Sequence, residues 1–202
     1  MIQALVNAGG KGTRLNQEGL EKPMLDIGGL PVVQRVIDAL LLSECVHEVV
    51  VSVSPYTQAT SSYLRSKGIR VVQTTGEDFM QDMHQALREM SGRMVLVCPS
   101  DLPLLTPALV DELVQAHRES GEESTLALVA ADVVRESGVE PSYCIEHQGG
   151  QWFLSGMSIV DREKVLQDVY LKEAYLLTRH KELAVNVNTQ QELKLARSML
   201  RR

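Results

Sequence analysis

The sequence predicts an α/β fold: a mainly parallel twisted sheet with helices on both faces and a small antiparallel excursion, carried by a single domain over residues 1–202. Three observations lead there. Short runs rich in Val, Leu and Ile alternate with helix-period segments from the first residues onward, as in successive βαβ units. Several of those runs are apolar without alternation, as parallel strands covered on both faces are. A chain of 202 residues with 44% hydrophobic content is also long enough to bury one large core.

Strands are expected at residues 2–7, 47–54, 69–73, 94–98 and 126–130, with helices at 32–42, 57–67, 78–90 and 107–119 between them. The last of these helices carries its own punctuation: Thr106 as N-cap, Pro107 at the first helical position and Gly121 just past the end. From Pro141 the rhythm changes. Residues 142–147 and 151–155 flank Gln148-Gly149-Gly150, a hairpin signal, and the region from 141 to 158 otherwise reads as irregular. A helix at 162–178, a strand at 183–187 and a terminal helix from Gln190 close the domain, with Thr189 and Glu192 spaced as a capping box.

Composition excludes several classes. The chain has 26 acidic against 20 basic residues, a net charge of -6 and only 4% aromatics, which argues against a nucleic-acid groove with its basic stripe and stacking rings. The first apolar run stops at Gly9, and no stretch approaches the roughly 20 apolar residues of a membrane span. A cytoplasmic protein without membrane contact is expected. Cys45, Cys98 and Cys144 are odd in number and widely spaced, which suits reduced thiols. The five histidines, at 47, 84, 117, 147 and 180, show no metal-ligand spacing.

In open α/β sheets ligands gather at the carboxyl ends of the strands, so the residues that follow each strand are the candidates. After the first comes Ala8-Gly9-Gly10-Lys11-Gly12-Thr13-Arg14, then Glu21-Lys22-Pro23. Three glycines let backbone N–H groups close on an anion, and Lys11, Arg14 and Lys22 add positive charge to a chain that is acidic overall. The spacing is neither that of a P-loop nor that of a dinucleotide fingerprint. Ser54-Pro55, Thr74-Thr75-Gly76 and Pro99-Ser100-Asp101-Leu102-Pro103 follow the next three strands. Asp101 is placed to hold Mg²⁺ beside bound phosphates, since that ion takes one or two carboxylates with phosphate oxygens and water. Strand alternation puts Asn186 and Asn188 on one side, and Asn188 lies nearer the strand end, where its amide oxygen could reach the same metal.

Gly-Gly-x-Gly-Thr-Arg followed by Lys-Pro resembles the signature of Rossmann-like, MobA-like nucleotidyltransferases, which bind an NTP and release pyrophosphate. With Ser54-Pro55, Pro99 to Pro103, Ser155-Gly156-Met157-Ser158-Ile159 and Asn186-Val187-Asn188-Thr189 added, the likeness spans nearly the whole chain and is greatest to the archaeal-type adenosylcobinamide-phosphate guanylyltransferases. That resemblance implies GTP as donor, a phosphorylated acceptor such as adenosylcobinamide phosphate, and Mg²⁺ as cofactor. It further implies that Ala8, Gly9, Gly10, Lys11, Gly12, Thr13 and Arg14 wrap the triphosphate, that Lys22 approaches the α-phosphate, and that Thr75 and Gly76 contact the base. Many relatives carry a carboxylate where Asn188 falls, so the metal here would rest on one carboxylate. Molybdenum cofactor and sugar-phosphate nucleotidyl transfer are the alternatives within the class, and a non-catalytic nucleotide sensor is the alternative outside it. A glycosyltransferase would be expected to show Asp-x-Asp, which the sequence lacks. A homodimer is the default assembly.

Overall fold

The computed structural model describes residues 1–12, 20–139 and 143–200. Its sheet is ordered around β1 (Ile2–Asn7), which pairs in parallel with β4 (Val46–Val53) on one side and β6 (Met94–Pro99) on the other. Beyond β4 lies β5 (Arg70–Gln73), again parallel. A separate two-stranded hairpin, β2 (Asp26–Ile27) with β3 (Leu30–Pro31), was not legible in the hydrophobic pattern.

Alternate residues of the central strands face two cores, which is why their sequences are apolar throughout. Ala4, Val6, Val51, Leu96 and Cys98 pack with α1 (Val32–Leu41) and α4 (Pro107–Ser120). Leu5, Val50, Val95 and Val97 pack with Met83, Ala86 and Leu87 of α3 (Phe79–Arg88). With α2 (Gln58–Ser66), these helices lie within two residues of the expected bounds at either end. Thr106 caps α4 through Leu109 N–H at 3.4 Å, and Gly121 closes it in the left-handed conformation.

The second half departs from expectation in three places. β8 (Cys144–His147) turns through Gln148–Gly149 into β9, but β9 runs the full length Gly150–Asp161 and inserts antiparallel between β6 and β7 (Ser124–Ala130). The stretch to residue 158 is therefore sheet from Gly150 onward, with one interruption. Ser155, Gly156 and Met157 stand opposite Ala127 alone, a bulge held by Ser155 Oγ donating to Ala127 O at 2.8 Å and accepting from Met157 N at 3.2 Å. A short helix, α5 (Ala131–Glu136), follows β7.

The helix expected at 162–178 is a single turn and a half, α6 (Arg162–Leu166). It ends where Asp168 takes a positive φ of 55°, and β10 (Glu173–Thr178) follows as a parallel edge strand beside β7. The strand expected at 183–187 is a 3-10 turn at Lys181–Leu183 and an irregular run after it. Leu183, Ala184, Val185 and Val187 are buried there, so the apolar pattern reports packing without a ladder partner. The sheet order is β10-β7-β9-β6-β1-β4-β5, and α7 (Gln190–Met199) ends the described chain.

Candidate active site

The carboxyl ends of β1 and β6 are adjacent, and a cleft of about 290 Å³ opens there between Ala8, Gly10, Lys11 and Gly12 on one side and Pro99, Ser100 and Asp101 on the other. Lys22, Pro23 and Asn188 complete its wall. Gly9 lies just behind: a Cβ there would come within 3.3 Å of Thr74 Oγ1, so the loop after β5 abuts the glycine loop. Ser54, just after β4, fastens the glycine loop from a third strand end by donating its Oγ hydrogen to Gly9 O at 2.7 Å. Thr13 and Arg14 fall outside the described residues.

Lys22 enters on a 3-10 turn, Lys22–Met24, whose position is set by its neighbour. Glu21 reaches across to the start of α2 and accepts from Ala59 N at 2.7 Å, Thr60 N at 2.6 Å and Thr60 Oγ1 at 2.5 Å. A carboxylate satisfying the free amides of a helix N-terminus is favoured by the helix dipole as well. Thus anchored, Lys22 Nζ bonds Asp101 Oδ2 and donates to Asn188 Oδ1 at 2.7 Å.

Asp101 is held from behind. Its carbonyl accepts from Val187 N at 2.9 Å, and Asn186 Nδ2 donates to Oδ1 at 3.1 Å. The two asparagines thus reach Asp101 and Lys22 from the irregular run after the 3-10 turn, without the strand that was expected to align them. Asn188 N–H is satisfied by Glu192 Oε2 at 2.7 Å, while Thr189 Oγ1 accepts from Glu192 N at 3.2 Å, a capping box shifted by one residue.

These oxygens suit a small divalent cation. The Asp101 carboxylate and the Asn188 amide oxygen converge on one cationic point, the Lys22 ammonium, and Mg²⁺ needs only one or two protein oxygens when phosphate and water fill the rest. Among the described residues no three or more His, Cys, Asp or Glu side chains gather as a metal cluster. Burial, chiefly, and the Asp101 charge push the Cys98 thiol up, so it stays protonated.

Lys11 bonds Glu77 at 2.7 Å and stands 4.9 Å from the centre of the Tyr56 ring, while Tyr56 donates its hydroxyl hydrogen to the same carboxylate. The bond to Glu77 raises the Lys11 pKa, and the Lys11 and Tyr56 bonds lower that of Glu77. Thr75 and Gly76 do not line the cleft itself; they stand beside it, next to Glu77.

A second cleft, about 500 Å³, adjoins the first and shares Pro99, Asp101 and Asn188 with it. Phe153 to Gly156 of β9, Gly138 and Val139 after α5, Ala184, Asn186 and Thr189 of the irregular run, and Gln191 and Glu192 of α7 form the rest. Ser155, Gly156 and Asn186 to Thr189 fall in stretches that carry the resemblance, but nothing in the sequence marks them as one surface, because it is assembled from distant segments. Among the described residues no helix is long and apolar enough to cross a membrane.

The chain is 29% identical, over all of its own length and 98% of the other's, to adenosylcobinamide-phosphate guanylyltransferase from Methanocaldococcus jannaschii. It is 30% identical over 72% of its length to bifunctional protein GlmU from Exiguobacterium sibiricum, of which it covers 34%. Among solved structures, a nucleotidyl transferase from Methanothermobacter thermautotroptrophicus superposes with a TM-score of 0.71 at 18% identity, over 100% of this chain and 98% of that one, and shows the same fold. The model of the MobA-like NTP transferase domain matches residues 4–148, and the chain belongs to that family of nucleotidyltransferases.

Proposed function

We propose that the protein transfers GMP from GTP to the phosphate of adenosylcobinamide phosphate and releases pyrophosphate. The observation that carries this reading is the full-length likeness to the Methanocaldococcus jannaschii protein of that name. The bifunctional protein from Exiguobacterium sibiricum, by contrast, aligns over 72% of this chain. The two adjoining clefts suit it as well: the donor lies in the first, the acceptor in the second, and the reacting atoms meet at Asp101 and Lys22.

An oxygen of the acceptor phosphate attacks the α-phosphorus, the new O–P bond forms, the bond to the bridging oxygen breaks, and pyrophosphate leaves with that electron pair. An anionic phosphate needs no general base, so catalysis is positioning and charge neutralisation. Lys22 leaves Asp101 for the α-phosphoryl group, Lys11 leaves Glu77 for the β- and γ-phosphates, and Arg14 joins Lys11 there. The backbone from Gly10 to Gly12 lines the phosphate path, and Thr75 and Gly76 approach the base. Asp101 and Asn188 would hold Mg²⁺, which when bound would supply positive charge to the phosphates. A cytoplasmic setting belongs to this reading.

The test is a pyrophosphate-release assay with Mg²⁺, each of four NTPs, and adenosylcobinamide phosphate, molybdopterin or hexose 1-phosphates as acceptor. Release is expected with GTP and adenosylcobinamide phosphate. Equal turnover of ATP would remove the guanylyl reading, and turnover with a hexose 1-phosphate alone would move the protein to sugar-phosphate chemistry.

A further inference from the structure

The loop after β5 offers hydrogen-bond acceptors and withholds donors. Thr74 N donates to Val53 O at 2.8 Å. Thr75 N and Thr75 Oγ1 donate to Asp82 Oδ1 at 2.9 and 2.8 Å, and Gly76 N to Asp82 Oδ2 at 2.9 Å. Glu77 N donates to Thr75 Oγ1 at 3.2 Å. All four amide hydrogens from Thr74 to Glu77 are therefore spent inside the protein, three of the loop's donors on one carboxylate from the first turn of α3. The carbonyl oxygens of Thr75 and Gly76 accept from no described backbone group. Beside them stands the exposed Glu77 carboxylate, bonded by Tyr56 and by Lys11, which lines the phosphate cleft. The loop is seated closely against Ser54 and Tyr56. Gly76 has φ +74°, and a Cβ there would lie 2.7 Å from Ser54 and 2.8 Å from Tyr56.

We propose that Asp82 is a positioning residue for base selection: by holding the loop's donors it leaves an acceptor-only edge, the Thr75 and Gly76 carbonyls and the Glu77 carboxylate, that selects guanine. This rests on the reading of the first cleft as the nucleotide's phosphate site. Guanine carries two neighbouring donors, N1–H and the 2-amino group, on its pairing edge. Adenine and cytosine each set one donor beside a ring acceptor, and uracil has a single N–H between two carbonyls. An acceptor-only edge meets both guanine donors and sets oxygen against oxygen or nitrogen lone pairs for the others. The Lys11 contact couples the two ends of the nucleotide, because phosphate that draws Lys11 away frees a Glu77 oxygen for the base.

The experiment is equilibrium binding of GTP, ITP, ATP and 1-methyl-GTP to the full chain, to Asp82→Asn and to Glu77→Gln, with melting temperatures for all three. The wild-type chain is expected to bind GTP at least about tenfold more tightly than ITP, which lacks only the 2-amino group, and than 1-methyl-GTP, as the loss of one hydrogen bond to a charged group implies. Both variants are expected to bring the GTP to ITP ratio within about threefold, since each replaces an acceptor oxygen or frees a loop donor. If Asp82→Asn melts far below wild type, Glu77→Gln and the wild-type analogue series decide the question. Triphosphates bound without base preference overturn the inference and leave nucleotidyl transfer standing. A GTP preference that survives unchanged in the variants overturns it and leaves the guanylyl reading standing. A chain that binds no nucleotide overturns the site itself.

Discussion

Lys22 stands between the two oxygens assigned to the metal, so one ammonium neutralises Asp101 until a nucleotide arrives. This makes Asp101 the residue whose charge matters most. Asp101→Asn keeps the shape and the bond to the Val187 amide, which goes to the Asp101 carbonyl and not to its side chain. It loses charge-assisted bonding to Lys22, worth about 2 kcal/mol for such a pair. Pyrophosphate release is expected to fall by about 10² to 10³ for loss of a preorganised charge at the reacting centre, while GTP affinity without Mg²⁺ holds or rises because a repulsive carboxylate is gone. Asn188→Ala is expected to do less harm, since water can replace a neutral ligand. Turnover, GTP affinity with and without Mg²⁺, and melting temperature of both variants check this; near-wild-type turnover of Asp101→Asn at the same Mg²⁺ would put the metal elsewhere. Lys11 and Asp101 were legible because the glycine loop and the strand end that carry them announce themselves locally, and Lys22 because a Lys-Pro follows the loop, whereas Asn188 was reached through a strand that does not form. Glu21 on α2, Asn186 on Asp101 and Asp82 on the loop were not, since each acts through a hydrogen bond whose partner is unmarked in the sequence.

At the scale of elements, the βαβ run from β1 to β7 was readable apart from the β2–β3 hairpin, while the length of β9, the strand β10 and the run at 183–187 were not, for one physical reason. Each βαβ unit buries its own strand against its own helix, so the hydrophobic period reports the element. β9 instead pairs antiparallel with two strands drawn from different units, and β10 gains its place only by lying beside β7. Burial in those segments depends on distant partners. The bulge at Ser155 to Met157 follows from the same insertion, and it presses on the site: Gly156 has φ +87°, and a Cβ there would lie 3.1 Å from the ring of Pro99, which lines both clefts. Gly156→Ala is expected to cost about 1–3 kcal/mol, from the left-handed backbone and the displaced proline, and to lower turnover more than GTP affinity by shifting the turn that carries Asp101. Denaturant unfolding and kinetics of the variant measure both, and an unchanged midpoint would show that the bulge relaxes freely.

At the scale of the whole molecule, the family match over residues 4–148 covers the glycine loop, Lys22 and Asp101, while the whole of β9 and the C-terminal run after it lie outside it. The second cleft is built largely from that remainder: Leu154, Ser155, Asn186, Gln191 and Glu192 line it, and among the described residues the two clefts share Pro99, Asp101 and Asn188. Such a division lets one half fix the donor while the other changes acceptor. It also predicts that the second cleft can be filled without disturbing the first. Gln191 is exposed on the first turn of α7, so Gln191→Trp removes no core packing and adds bulk at the cleft wall. Surface substitutions of this kind change stability by no more than about 0.5 kcal/mol. The expected result is a KM for the phosphorylated acceptor raised by about tenfold, equivalent to about 1.4 kcal/mol of lost binding, with GTP affinity within twofold of wild type on the same scale. Steady-state kinetics with the acceptor varied at saturating GTP, alongside direct GTP titration, separate the two. A parallel loss of GTP affinity would mean that donor and acceptor share one cavity, and an unchanged acceptor KM would place the acceptor outside the second cleft.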